Sequence, residues 1–444
     1  MTGELRPHEP REPGRAGVYA CGPTVYSRVH VGNARPFVVF MLFGRLLRRL
    51  GYETRVVINV TDVNDKIYDA AREAGIASAE HAAEMTRLYR EDTDRLGLGR
   101  PDAEPLATET IPEIVALIEA LIEGGHAYES GGDVYFSIRS FEGYGKLSNR
   151  DPEAMDQGEE AGTASLKRDP LDFALWKAAK PGEDVHWPSP WGEGRPGWHL
   201  ECSAMAEKLL GADFEVHGGG SDLVFPHHEN EVAQSEAARG LPLARIWMHN
   251  GMVRIADEKM SKSVGNIFQL GEALDRFGAA TVVAYLVSGH YRQPLEFSEG
   301  ALEEAAARVE RIRNFLRAAD AGGEPDPLVV ERSDEFLAAL CDDFNTPRAL
   351  AALFELIAEG NRRELPGARD ALAEMLPLVG LESLLTEREE GPDDEADGLL
   401  AEREEARAAR DFERADAIRD RLAGLGWEVR DGSEGPRLVR RAGG

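Results

Sequence analysis

Apolar residues along the first sixty positions follow a strand, helix, strand pattern. A continuous apolar run at 18–21 predicts a strand that ends at a Gly-Pro pair, and the spacing over 36–50 predicts a helix. A second strand is predicted over 53–60. This order indicates a βαβ unit and a parallel sheet, so Cys21 and Thr61 are expected at the carboxyl ends of strands, where α/β sheets bind ligands.

Beyond residue 100 the pattern predicts that the sheet is interrupted. Residues 111–124 have helical spacing, 133–138 read as a short strand, and the sequence up to residue 196 is rich in Gly, Pro and Trp. The α/β pattern then resumes with a predicted strand over 213–217, three glycines and a helix over about 227–238. We therefore expect an inserted lobe within one α/β domain.

The remaining third of the chain is predicted to be mainly helical. Two long amphipathic segments, 298–320 and 333–358, are expected to be helical. An acidic linker over 387–397 precedes a final module, in which we predict one helix over 402–422 and a short β-like tail.

Composition excludes several classes of protein. The 444 residues are 42% hydrophobic and 30% charged, and no apolar run approaches the ~20 residues that span a bilayer. Three cysteines cannot form a disulfide framework, and the first residues lack the apolar core of a signal peptide. We expect a multidomain cytoplasmic protein without membrane association.

The net charge is −29, from 51 basic and 80 acidic residues, which argues against non-specific nucleic-acid binding by the whole surface. A local basic face remains possible. Only eight of the basic residues are lysines, and two of them, Lys259 and Lys262, stand together.

Two segments carry chemistry suited to phosphate groups. His30, Gly32 and Asn33 precede or open a predicted helix, whose N-terminal N–H groups and dipole can hold an anion, although a turn with a cap explains them equally simply. Lys259 and Lys262 stand among hydroxyl residues and a glycine, which suits a clamp on a triphosphate; the alternative is an exposed basic turn.

A third set consists of residue types that bind zinc: two thiols, an imidazole and a carboxylate. Its members are Cys21, Cys202, His227 and Glu231. The last two are spaced i, i+4, so one helix face presents both. Spacing alone leaves other interpretations open, because a buried cysteine is often a small apolar residue and His228 or Glu229 could equally be ligands.

The two phosphate segments, His30-Val31-Gly32-Asn33 and Lys259-Met260-Ser261-Lys262-Ser263, resemble the HIGH and KMSKS signatures of class I aminoacyl-tRNA synthetases. Four further segments, 19–26, 59–66, 197–203 and 225–231, are similar to the cysteinyl-tRNA synthetase family in particular. The resemblance implies a Rossmann-like α/β catalytic domain with an inserted lobe, followed by an α-helical bundle and a small C-terminal anticodon-binding module.

The activity implied by the resemblance is ATP-dependent attachment of L-cysteine to tRNA(Cys) through a cysteinyl-adenylate, with one zinc ion per chain and Mg²⁺ accompanying ATP. No obligate protein partner is indicated. The implied domains are the first half of the nucleotide-binding domain (1–100), an acceptor-binding lobe (101–196), the second half with the KMSKS loop (197–266), a connecting and helical bundle region (267–386) and the linker with the anticodon-binding module (387–444).

The resemblance also assigns roles to residues. It implies zinc ligation by Cys21, Cys202, His227 and Glu231, and catalysis by His30, Lys259 and Lys262. ATP contacts are expected from Thr24, His30, Gly32, Asn33, Gly219, Asp222 and Lys262. The cysteine substrate is expected to contact Thr61, Trp198 and Asp222. Contacts with tRNA are expected from Arg407, Arg414 and Trp427.

Two other functions remain open on the sequence. One is an ATP-dependent ligase that joins cysteine to a small amino-sugar derivative, and the other is a non-catalytic paralogue that binds RNA.

The arginines of the final helix recur at helical spacing as one basic stripe, yet acidic residues accompany them. A solvated face with ion pairs is therefore as good an interpretation as an RNA contact.

Overall fold

The structure is a computed structural model that describes residues 2–151, 165–255, 258–259, 268–386, 394–425, 427–432 and 435–440. In chain order the strands are β1 (Arg15–Ala20), β2 (Glu53–Ile58), β3 (Ala127–Ser130), β4 (Asp133–Phe136), β5 (Phe173–Ala178), β6 (Gly194–Pro196), β7 (Phe214–Gly220), β8 (Ala244–Asn250), β9 (Val253–Ile255), β10 (Glu258–Lys259), β11 (Leu295–Glu296), β12 (Trp427–Gly432) and β13 (Gly435–Arg440). The helices are α1 (Val31–Arg49), α2 (Asp65–Ala74), α3 (Ser78–Asp94), α4 (Ile111–Glu123), α5 (Trp198–Leu210), α6 (Glu229–Arg239), α7 (Leu270–Phe277), α8 (Ala279–Leu286), α9 (Glu299–Ala318), α10 (Pro327–Cys341), α11 (Thr346–Arg362), α12 (Ala368–Met375), α13 (Ser383–Thr386), α14 (Asp394–Ala408) and α15 (Phe412–Gly424).

A parallel sheet of order β2-β1-β7-β8 forms the centre of the α/β domain. Val18 on β1 stands opposite Val56 on β2 and Val216 on β7, and all three are buried. The predicted βαβ unit is confirmed. Because the strands are parallel, β1 ends beside the glycines of β7, and Cys21 follows at that edge.

Helix α1 begins at Val31, five residues earlier than the apolar spacing predicts. Its start depends on a distant segment: the Val31 N–H donates to the Phe268 carbonyl at 3.1 Å, and His30 bridges to Gln269. The proline within the second turn favours a later start on sequence alone, because prolines usually stand in the first turn of a helix. Tertiary contacts therefore decide where this helix begins.

The inserted lobe contains an antiparallel sheet of order β3-β4-β5-β6, which lies between β2 and β7 in the chain. Its apolar core includes Ile118 on α4 and continues into the α/β domain through Leu200 on α5 and Ala233 on α6. The lobe is thus packed against the two helices α5 and α6.

The segment predicted to be helical over 333–358 is helical except for a break between α10 and α11. Asp343 and Phe344 have positive φ angles of 59° and 49°, which stop α10. The Asn345 side chain then accepts a hydrogen bond from the Arg348 N–H and caps α11. Apolar spacing continued through the break because Phe344 is itself buried.

Residues 384–444 form a second compact unit, separate from residues 1–383. The prediction of one helix over 402–422 is wrong. Arg410 has a φ of 59°, which ends the first helix, and Asp411 caps a new helix, α15. The arginines therefore do not form one continuous stripe. The predicted β-like tail is confirmed as the β12–β13 hairpin.

Among the helices of the described residues, none has an apolar stretch of the length and hydropathy needed to cross a bilayer.

We predict that Ile118→Ala will lower the free energy of unfolding by about 2–5 kcal/mol, because it removes a fully buried side chain from the core that the lobe shares with α5 and α6. Urea unfolding of the full chain, followed by tryptophan fluorescence, measures the change. Glu119→Ala, an exposed position on the same helix, is the control and should shift stability by no more than about 0.5 kcal/mol. Equal effects of the two variants would contradict the shared core.

Candidate active site

A cavity of about 690 Å³ opens at the carboxyl edge of the parallel sheet. It brings together residues that are far apart in the chain, including most of those singled out by the sequence: Cys21, Thr24, His30, Gly32, Asn33, Thr61, Trp198, Cys202, Asp222 and His227. Lys66 and Arg28, which the sequence analysis did not select, also line it. The cavity therefore joins the start of α1 to the candidate metal ligands.

The first turn of α1 forms one wall of this cavity. His30 is extended and precedes the helix, and its N–H donates to Asn33 Oδ1 at 3.2 Å. A Cβ atom on Gly32 would lie 2.9 Å from the His30 ring, so only glycine leaves the imidazole room against this turn. The turn thus presents an imidazole at a helix N-terminus, an arrangement suited to phosphate.

Two thiol sulfurs meet at the inner end of the cavity. Cys21 follows β1 and its N–H donates to the Gly218 carbonyl at 2.9 Å, while Cys202 stands in the second turn of α5. Their Sγ atoms lie 3.6 Å apart. The hydrogen bond from Cys21 lowers the pKa of Cys202 to about 6, so Cys202 is a thiolate at neutral pH.

An imidazole and a carboxylate complete this group. His227 Nε2 lies 3.0 Å from Glu231 Oε1, and Cys21 Sγ lies 3.5 Å from both atoms. Burial disfavours the charged form of His227, but Glu231 and Cys202 outweigh burial and raise the His227 pKa to about 10. Burial acts against the charged Glu231 too, yet His217 and His227 hold its pKa well below the usual range. Negative charge is thus concentrated where these side chains meet.

The structure also places His228 in this group: donor atoms of Cys21, His227, His228 and Glu231 lie within 4.8 Å of one another, so the cluster could hold a metal ion. His228 differs from the others, because its Nδ1 lies 2.8 Å from His249 Nε2. Burial, reinforced by neighbouring His217, keeps the pKa of His228 well below its usual value.

The alternative ligand Glu229 points to other partners. Its carboxylate is fully buried and accepts hydrogen bonds from the N–H groups of Gly145, Leu147 and Ser148 at 2.9, 3.3 and 2.6 Å. These residues belong to the inserted lobe. Glu229 therefore anchors the lobe to α6 and is not part of the metal cluster.

Two residues outside the predicted set of site residues orient the cluster. The Nδ1 atoms of His199 and His227 lie 3.0 Å apart, and burial keeps the pKa of His199 well below its usual value. A neutral His199 accepts from His227 Nδ1–H, which directs His227 Nε2 toward Cys21. Asn59 is fully buried; its Oδ1 accepts from the Gly22 N–H at 2.9 Å and lies 3.7 Å from Cys202 Sγ.

The substrate residues expected from the resemblance surround this cluster. The Trp198 ring stacks on His227 with 4.4 Å between centroids and remains 36% exposed. Thr61 accepts from Asn59 Nδ2 at 3.4 Å. Gly219 lies in β7 beside Cys21, and a Cβ there would come within 3.4 Å of Cys21 Cβ.

The second signature, the Lys259–Ser263 segment, lies mostly outside the described residues. Lys259 belongs to strand β10, whereas 260–267, with Lys262, is not among the residues that the structure describes. The candidate tRNA residues lie in the second unit: Arg407 and Arg414 approach Glu404 and Glu402 at 3.8 and 3.5 Å. Trp427 is 6% exposed and packs in the small core of that unit.

Comparison with family models accounts for most of the chain. Residues 7–307 match the tRNA synthetases class I (C) catalytic domain. Residues 335–380 match the DALR domain, and residues 389–436 match the cysteinyl-tRNA ligase anticodon binding domain. This order confirms the predicted fold class: a class I catalytic domain with an antiparallel insert, a helical domain and a C-terminal anticodon-binding domain.

Curated relatives match over nearly their whole length. A cysteine–tRNA ligase of Alkalilimnicola ehrlichii is 48% identical over 455 residues, covering 98% of this chain and 97% of the relative. A cysteine–tRNA ligase of Halorhodospira halophila is 47% identical over 454 residues, with 99% and 98% covered. One from Brevibacillus brevis is 43% identical over 463 residues, again with 99% and 98% covered.

Solved structures agree on the fold. Methionyl-tRNA synthetase of Mycobacterium tuberculosis, in complex with methionyl-adenylate, superposes with a TM-score of 0.61 at 18% identity, covering 83% of this chain and 89% of that one. LeuRS of Agrobacterium radiobacter, in a ternary complex with tRNA, gives 0.60 at 12% identity, with 86% and 85% covered. Taken with the full-length relatives and the family models, the cavity and its thiol–imidazole–carboxylate cluster belong to a chain that is a member of the cysteine–tRNA ligase family of class I aminoacyl-tRNA synthetases.

Proposed function

We propose that this member of the cysteine–tRNA ligase family binds one zinc ion per chain, activates L-cysteine with Mg-ATP and transfers the cysteinyl group to tRNA(Cys). The observation that carries the proposal is the meeting of Cys21, Cys202, His227 and Glu231 at the inner end of the cavity that also contains the His30 turn. Amino-acid selection and nucleotide chemistry then occur in one space.

The separations of Cys21 Sγ from Cys202 Sγ and from His227 Nε2 fit a tetrahedral zinc ion. Zn–S bonds of ~2.3 Å and Zn–N bonds of ~2.0 Å place two thiolates ~3.8 Å apart and a thiolate ~3.5 Å from an imidazole nitrogen. The observed separations are 3.6 Å between Cys21 and Cys202, and 3.5 Å between Cys21 and His227. We therefore assign Cys202 as the fourth ligand; His228, whose Nε2 lies 3.9 Å from Glu231 Oε1, is the alternative.

Charge supports the same assignment. The pKa directions make Cys202 and Glu231 anions at neutral pH, inside a region from which water is largely excluded. Buried anions are costly unless a cation or strong donors compensate them, and a divalent cation compensates both at once. Without a metal ion, a proton on His227, whose pKa is raised to about 10, compensates part of this negative charge.

Selection of cysteine over serine needs more than packing, because a pocket separates such near-isosteres by only ~10- to 200-fold. Bound zinc supplies a borderline-soft centre that favours a thiolate over a hydroxyl as an additional ligand. Trp198 and Thr61 shape the adjoining wall, and Asp222 places a carboxylate in the same cavity for the substrate ammonium.

Adenylate formation is assigned to the other side of the cavity. The cysteine carboxylate oxygen attacks the α-phosphorus of Mg-ATP, and the bond to pyrophosphate breaks. Thr24, Gly32 and Asn33, with Gly219 near the base of the cavity, receive the nucleotide, while His30 donates to phosphate oxygens at the start of α1. Lys259 and Lys262 stabilise the charge that develops on pyrophosphate.

Transfer occurs when a terminal ribose hydroxyl of tRNA attacks the cysteinyl carbonyl and AMP leaves. We assign acceptor-end binding to residues 101–196 and anticodon binding to residues 387–444. Arg407 and Arg414 are exposed and can contact phosphates. Trp427 is buried in the core of that unit, which favours a packing role for its ring over stacking on a tRNA base.

The purified chain is predicted to contain about one zinc, and Cys202→Ser should lose both the metal and the preference for cysteine over serine, because a hydroxyl is a poor zinc ligand. Metal analysis and pyrophosphate exchange with each amino acid measure the two effects. Cys341→Ser, at an exposed cysteine outside the cluster, is the matched control and should keep both. Unchanged zinc content in Cys202→Ser would disprove the ligand assignment.

A further prediction concerns Lys262. We expect Lys262→Ala to lower kcat for cysteine-dependent pyrophosphate exchange by ~100-fold or more with little change in cysteine KM, because its charge acts mainly in the transition state. Lys208→Ala is the control, since that lysine pairs with Glu113 at 2.7 Å outside the cavity. A near-normal kcat for Lys262→Ala would leave the loop without a catalytic role.

Truncation tests the tRNA assignment. A chain of residues 1–386 should retain zinc and pyrophosphate exchange, because the metal ligands and both signatures precede the cut. Its charging efficiency with tRNA should fall on the order of 100-fold, and full-length binding should weaken with added salt, as phosphate contacts require.

Two results would contradict this assignment. Normal charging by residues 1–386 would remove the anticodon role from the C-terminal unit. Pyrophosphate exchange without tRNA charging, in both the full and the truncated chain, would instead favour the ligase that joins cysteine to a small amino-sugar derivative.

A further inference from the structure

Arg35 is a buried side chain to which the proposed activity assigns no role. It stands on α1, one turn beyond His30, and is only 1% exposed. Its guanidinium donates to three main-chain carbonyls: Nη1 to Gly251 at 2.6 Å and to Gln293 at 2.7 Å, and Nη2 to His290 at 3.0 Å. One side chain thus joins α1 to two distant turns.

This arrangement is unusual for a buried cation. No carboxylate pairs with Arg35 within the described ranges, and its Nε atom is buried without a hydrogen-bond partner. Burial lowers the pKa of Arg35 to about 10, which still leaves it charged at neutral pH. Carbonyl dipoles alone compensate the charge, so three carbonyls must converge on it, and their convergence fixes the relative positions of three chain segments.

The segment at Gly251 is packed closely against the 290–294 turn. The Gly251 N–H donates to the Tyr291 carbonyl at 2.7 Å, and a Cβ on Gly251 would lie 2.2 Å from the Gln293 carbonyl oxygen. Only glycine allows this approach. Arg35 bonds to carbonyls on both sides of the contact, so it holds the contact together.

The contact at Gly251 matters because strand β9 starts just beyond it, at Val253. This first residue of β9 lines the cavity, and the strand pairs with β11 through Val253 and Leu295. Its other neighbour, β10, ends at Lys259 and leads toward Lys262 in the sequence. Any shift of Gly251 relative to α1 is therefore transmitted to the strand from which the lysine signature extends.

We propose that Arg35 is a positioning residue that holds the base of strand β9 against α1, so that the two signatures act on the same nucleotide. The proposal rests on the proposed role of Lys262 in adenylate formation. Misplacement of a reacting group by ~1 Å can cost ~100-fold in rate, so a residue that sets this distance should affect kcat without touching substrate. Lysine cannot replace it fully, because an ammonium lacks the planar set of donors that three carbonyls require.

Arg45 provides a matched control on the same helix. It also donates to two main-chain carbonyls, those of Pro377 at 2.7 Å and Leu98 at 3.0 Å, and pairs with Glu382 at 2.6 Å. These partners lie outside the cavity. Arg35→Gln and Arg45→Gln therefore both remove hydrogen bonds from α1 to main-chain carbonyls. Only Arg35→Gln removes the link between α1 and the base of strand β9.

The experiment compares cysteine-dependent pyrophosphate exchange, zinc content and thermal midpoint in the full-length variants. We expect Arg35→Gln to lower kcat at least ~30-fold, with cysteine KM within about 2-fold of wild type and zinc retained, and Arg35→Lys to fall in between. Arg45→Gln should lower the thermal midpoint by a similar amount while kcat stays within about 2-fold. Equal kcat values in the two glutamine variants would overturn the proposal.

A double variant tests whether Arg35 acts through the lysine signature. If it does, Arg35→Gln should reduce kcat less than about 3-fold further in a Lys262→Ala background, because the group that it positions is already gone. An undiminished ~30-fold loss in that background would overturn the proposal. Should Arg35→Gln fail to fold, Arg35→Lys and Gly251→Ala decide, with a selective loss of kcat expected in both and a normal kcat in both contradicting the idea.

These outcomes remain distinct from failure of the proposed function. If the wild-type chain showed no cysteine-dependent exchange, the activity itself would be wrong. If the wild type exchanged normally and Arg35→Gln behaved like Arg45→Gln, only the positioning role would be lost.

Discussion

Buried negative charge at the inner end of the cavity is the constraint on which the rest of the structure depends. The Cys202 thiolate and the Glu231 carboxylate stand where water is scarce, and such groups are stable only with close compensation. Cys21 Sγ lies 3.6 Å from Cys202 Sγ and 3.5 Å from His227 Nε2, although these residues come from three separate parts of the chain. The parallel sheet, α5 and α6 supply that convergence.

Helix α6 serves the site on one side and the inserted lobe on the other. Glu231 faces the thiols, whereas Glu229 accepts three main-chain hydrogen bonds from the lobe and Asn230 contacts Tyr144. The same helix also contributes Ala233 to the lobe's core. A displacement of the lobe would therefore move Glu231, a member of the candidate metal cluster, so this cluster and the lobe that we assign to the acceptor end are mechanically connected.

Helix α1 lines the part of the same cavity that we assign to the nucleotide. Its first turn carries His30 and Asn33 at the cavity wall, and its start is fixed by bonds to residues 268–270 rather than by its own sequence. Beyond this turn, Arg35 donates to the Gly251 carbonyl, two residues before strand β9 begins. The helix thus relates the two signature segments, which lie about 230 residues apart in the chain.

Local periodicity was sufficient to predict the βαβ unit and the inserted lobe, because burial repeats every two or every 3.6 residues within a single element. It did not reveal the helix breaks at Asp343 and Arg410, where the backbone leaves the regular region without a glycine and apolar spacing continues through the break. It also could not choose between His228, Glu229 and Glu231 as ligands. The tertiary structure directs Glu229 to the inserted lobe and places His228 and Glu231 in the candidate metal cluster, because such contacts are set by three-dimensional packing and not by neighbours in sequence.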